Sequence, residues 1–173
     1  MPGTAAQAIF RFASTRCMGI GRDESEGWSV DEQTGGPYLH FAVFCENVIE
    51  DKQGVLSLIR IIDRTVLTAA GPDAPEKMPP FPFSATIALG FKSGFAKGSW
   101  QVRIRPTNPD GQPLPEVSLP MQLEGDDRGQ NIVLPVQLTL EQEGLYWFDV
   151  FVADALVTRM PFRVVYQRVS IRR

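Results

Sequence analysis

Histidine occurs once in this chain, at His40, and cysteine twice, at Cys17 and Cys45. Ser-His-Asp and Cys-His nucleophiles, and most zinc sites, need histidine beside specific partners. His40 and Cys45 stand five positions apart in one apolar stretch, so a regular strand turns them to opposite faces. His40 therefore reads as a half-exposed structural residue and Cys45 as a small buried hydrophobe. Two isolated thiols in regions of different character argue against a disulfide scaffold and fit a reducing compartment. No apolar run approaches the ~20 residues that span a bilayer. Arg11 and Arg16 interrupt what would be a signal-peptide core, and no Asn-x-Ser/Thr acceptor occurs. A net charge of −3 supplies no global attraction to nucleic acid. These absences predict a soluble, cytoplasmic protein without membrane, metal or cofactor, and they speak against nucleic acid as a partner.

What is present suits one globular domain: 173 residues, 43% hydrophobic and 21% charged. Residues 1–37 differ from the rest. Arg11, Arg16 and Arg22 come first, followed by an acidic, turn-rich patch from Asp23 to Pro37. The low apolar content of that patch predicts a flexible extension. An Arg-rich transit segment, or a short helix over Ala5 to Phe12 docked on the domain, would be the other uses. Residues 38–168 form the predicted domain, and 169–173 a basic tail.

From Tyr38 the pattern becomes β. Leu39 to Cys45 is almost continuously apolar, a pattern that suits a strand covered on both faces and that a short buried helix would also fit. Glu50 to Gly54 is a polar turn, and Val55 to Ile62 a second apolar run. Residues 63–80, punctuated by prolines, read as one long connection between sheets. Beyond it, Phe81 to Phe91, Trp100 to Arg105, Val117 to Glu124 and Ile132 to Leu140 alternate apolar and polar at period two. Asn108-Pro109-Asp110-Gly111 has type I turn chemistry, and Gly125 to Gly129 reads as another turn. Pro120 and Pro135 cannot donate ladder hydrogen bonds, which puts their strands at sheet edges or bulges. The last hairpin runs from Gly144 to Tyr166. Tyr146, Phe148, Val150 and Val152 share one face, as do Leu156, Met160, Phe162 and Val164, with Arg159 and Arg163 opposite. Seven to eight short strands with turns between them predict an all-β antiparallel sandwich.

Glu143-Gly144-Leu145-Tyr146-Trp147-Phe148-Asp149-Val150 resembles the penultimate strand of immunoglobulin-like domains. In those a tyrosine hydroxyl closes the corner onto nearby backbone. With Pro109-Asp110-Gly111 and Cys45-Glu46, the span Tyr38–Tyr166 resembles a bacterial immunoglobulin-like family of unknown function. The resemblance implies a disulfide-free sandwich, a structural corner at Tyr146, and no activity.

Candidate sites follow from parity. Trp147 and Phe151 point away from the apolar face, beside Asp149, and with Arg159 and Arg163 they form the candidate interface. The leading expectation is a non-enzymatic module that binds another protein or itself. The alternative is a small-ligand or carbohydrate binder using Trp100 or Trp147. The remaining reading is an acid/base enzyme using Glu46, Glu50, Asp126 and Asp127, although these carboxylates sit in turns and read better as solvated. Gly19-x-Gly21 follows no strand and carries no phosphate-loop reading.

Overall fold

The computed structural model describes residues 35–169, with the side chain of Asp127 left out. What was expected of residues 1–34, Cys17 included, and of the tail from residue 170 lies outside the described residues. Seven strands follow in order: β1 Tyr38–Glu50, β2 Leu56–Ile62, β3 Arg64–Ala70, β4 Phe81–Thr107, β5 Val117–Leu140, β6 Gly144–Val152 and β7 Ala155–Val169. No helix occurs among the described residues.

The first hairpin is closed by Asp51. Its Oδ1 accepts the amides of Gln53 at 2.8 Å and Val55 at 2.9 Å, an aspartate turn that reverses the chain from β1 to β2. The central feature is the β4–β5 hairpin. It pairs continuously in outline from Phe81 opposite Leu140 to Ile104 opposite Val117, with register shifts around Gly94. Its tip is the expected turn: Asn108 Oδ1 accepts the Gln112 amide, and the Gly111 amide donates to the Asn108 carbonyl.

This hairpin is folded over at its middle. The first part of β4 pairs with β1, and the last part pairs with β6. One sheet of order β2-β1-β4-β6-β7-β3, with β5 also on β4, therefore curls into two facing layers. The layers meet through aromatic rings. Phe44 of β1 packs on Phe148 of β6 at 4.8 Å and on Phe162 of β7 at 5.1 Å, and Phe83 of β4 reaches Phe162 at 4.7 Å. Ile87, Leu89, Val102, Ile104, Met121 and Val150 fill the space between. At its start Tyr146, 2% exposed, donates its hydroxyl to the Gln142 carbonyl at 3.0 Å. The architecture is an all-β, immunoglobulin-like sandwich with its tyrosine corner in place.

Three expectations need correction. Residues 63–80 are not wholly a connection. Arg64–Ala70 is a strand, and it lies parallel to β7, so the sandwich is not purely antiparallel. The chain changes layer at Asp63, whose carbonyl accepts the Arg163 amide, and returns through residues 71–80. Second, Gly125 to Gly129 does not reverse the chain. It lies inside β5 and bends it, with Gly125 and Asp126 at positive φ. Third, Leu156 does not join Met160 and Phe162 inside. A register shift between Val150 and Phe151 lets Leu156 oppose Phe151 instead, 47% exposed. One extra residue in one strand of a pair flips the faces that follow. By contrast, β5 pairs only with β4, so both Pro120 and Pro135 do lie on an edge strand.

Candidate functional site

The outer face of the second layer carries the candidate interface. Pairing across β4, β6 and β7 sets Phe151 beside Arg103, Asp149 between Arg105 and Arg159, and Trp147 between Thr107 and Pro161. These residues come from three strands, yet the ladder places them within one side-chain length of each other.

Guanidinium groups cover the two aromatics. Arg105 lies 5.0 Å and Arg103 5.6 Å from the Phe151 ring centroid, and Arg159 lies 5.8 Å from that of Trp147. A cation over an aromatic face is attracted by the ring quadrupole. Each arginine is also held by a carboxylate. Arg159 donates two hydrogen bonds to Asp149, Nε at 2.9 Å and Nη2 at 3.0 Å. Arg105 Nε donates to Glu116 at 2.9 Å, and Arg103 Nη2 donates to Asp154 at 2.8 Å. The hydrogen bond from Arg159 to Asp149, and next the charge of that carboxylate, push the guanidinium pKa up further. Three arginines and three carboxylates leave the cluster electrically balanced.

Trp147 remains 36% exposed and Phe151 is half-buried. Among the described residues, cross-strand arginines lie over both rings. Arg163 faces outward too, opposite Leu145 and in register with Arg64 of β3, one row beyond Trp147 and Pro161. Arg103, Arg105 and Glu116 were not foreseen as site residues. The parity of Arg103 and Arg105 on β4 is legible in the sequence, and Glu116 stands just before β5, but nothing local shows that β4 lies beside β6.

The other candidates are dispersed. Trp100 is only 7% exposed and donates its indole N–H to the Lys97 carbonyl at 3.3 Å, so it offers no ligand platform. His40 is exposed on β1, its ring 5.9 Å from that of Phe41. Cys45 is buried, its Sγ 3.6 Å from the Thr86 carbonyl, and burial raises its thiol pKa. Glu46 pairs with Arg60 at 3.2 Å. Glu50 ends β1 far from Asp126, which sits at the bend opposite Gly94. Glu46, Glu50 and Asp126 are thus not brought together.

Among known proteins, the model of a family described only as of unknown function matches residues 40–165. Among solved structures, the chain is similar to the CARDB domain of a Pyrococcus furiosus protein in complex with di-metal ions. Identity is 12%, the TM-score is 0.37, and the match covers 76% of this chain and 98% of that one. No curated protein matches the chain.

Proposed function

The chain belongs to that family of unknown function, DUF6941, and we propose that it works as a non-enzymatic protein-binding module whose contact surface is the Trp147–Phe151 face. The observation that carries this reading is the pair of aromatics held on an open sheet face by stacked, ion-paired arginines. Tryptophan and arginine are the residue types that dominate binding hot spots. Side chains already held in one geometry lose less entropy when a partner arrives. Because each ladder arginine has its own carboxylate, the face is amphipathic rather than cationic, which favours a protein over a nucleic acid.

The test is affinity capture with the full chain against Trp147→Ala and Phe151→Ser. Both variants should keep the circular dichroism and melting temperature of the parent, since both positions lie outside the core. Each should weaken partner capture by about tenfold or more, the loss typical of a hot-spot truncation. Equal capture by folded variants would sink the proposal.

A further inference from the structure

The outer face of the first layer has the opposite chemistry. Register places Ile61, Cys45, Thr86 and Pro135 side by side across β2, β1, β4 and β5. The next row holds Val43, Ala88 and Val133. Beyond it the Phe41 ring lies over Gly90, filling the space a Cβ would need. From the Gly90 row to the Ser84 row, no outward position on these four strands is Asp, Glu, Lys or Arg. Yet Ile61 is 62% exposed, and Ile59 and Val133 are 40% exposed. Cys45 and Ala88 are fully buried although they lie outside the central core, sealed by their neighbours on this face. Loss of charge with retention of aliphatic surface is the compositional mark of an interface centre.

We propose that this charge-free face is a dimerisation surface, packed against the same face of a second copy of the chain about a two-fold axis. Three observations select that occupant. First, the area suits it. Three strands about 4.8 Å apart over four outward rows about 6.8 Å apart, with β2 joining two of those rows, give about 450 Å² per copy, or ~900 Å² for two, the size of a weak interface. Second, charge allows it. Copies of a chain at −3 repel, and a charge-free patch lets two copies meet without setting like charges together. Third, the edges of the layer disfavour strand addition. Arg60, at φ 51, breaks the regular edge of β2, and the β5 edge of this layer carries Pro135. Contact is therefore face on face.

Sedimentation of the full chain from about 1 to about 200 µM, the range expected for a small apolar interface, tests this. The expected result is a dimer of twice 19.2 kDa. Ile61→Glu, and separately Val133→Glu, should each raise the dissociation constant by at least about tenfold, because each buries an unpaired carboxylate. Trp147→Ala, on the opposite face, should leave it unchanged, which separates this proposal from the one above. Circular dichroism confirms folding of each variant, and should one of them fail to fold, the other decides. A monomer throughout the range would overturn the proposal, as would a dimer insensitive to both glutamates. So would a full-length monomer that dimerises only once residues 1–34 are removed, which would assign the face to that segment.

Discussion

Removing one oxygen from Tyr146 tests the corner that starts β6. Its hydroxyl donates to the Gln142 carbonyl from a buried position. Tyr146→Phe should cost about 1 kcal/mol, seen as a melting temperature lower by about 3–5 °C. Burial first of all, then nearby acidic charges, outweigh the backbone hydrogen bonds and raise this phenol above its ordinary 10.0. The folded state therefore holds the proton more tightly than the unfolded chain. That contribution is complete below pH 10 and is lost as pH climbs through the folded value. Melting curves taken above about pH 10 should fall more gently for Tyr146→Phe than for the parent. The tyrosine was legible in the sequence because its partner is four residues away. Trp147 and Phe151 were legible only as outward-facing, by parity. The groups that dress Phe151, Arg103 and Arg105, lie more than forty residues upstream, and no local pattern announces that contact.

A different logic governs the elements, above all the β4–β5 hairpin that belongs to both layers. A Cβ at Gly129 would collide with the Phe91 carbonyl oxygen on the facing strand. Gly129→Ala should cost about 1–3 kcal/mol, as overpacking does, read as a lower urea midpoint. Gly98 sits at φ 90 with open space around it. Gly98→Ala should cost about 1–2 kcal/mol from backbone strain alone. Glycine and aspartate at 125–129 read as a hairpin turn because turns and strand bends ask for the same residues, those that tolerate positive φ. What distinguishes them is whether the chain reverses, and here β4 carries β5 around the corner. β3 was missed for a related reason. Its alternate positions are Arg64, Val66 and Thr68 on one face and Thr65, Leu67 and Ala69 on the other, so neither face reads as clearly apolar. Leu156 was misplaced because a bulge moves a face without changing the residues that compose it.

At the scale of the whole molecule, two layers are clamped by rings that cross between them. Phe162 touches both Phe44 and Phe83. Phe162→Ala should cost about 3–5 kcal/mol, the largest loss among the substitutions described, measurable by chemical denaturation. Pairing is mostly between distant segments, such as β3 with β7 and β1 with β4. Refolding should accordingly take milliseconds to seconds, as in other β-sandwiches, which stopped-flow fluorescence of the tryptophans would show. The molecule also presents two unlike outer faces, one lined with paired arginines and aromatics, the other without charge. By itself the sequence determined that the chain is all-β, where most strands lie and which side of each turns inward. Alternation with period two is a local property, written residue by residue. Only the tertiary structure decided which strands are neighbours: that β3 joins β7, that one hairpin serves both layers, and that arginines of β4 settle on an aromatic of β6. Those choices depend on contacts between segments tens of residues apart, where the free energy comes from filling one shared core and not from any single stretch of chain.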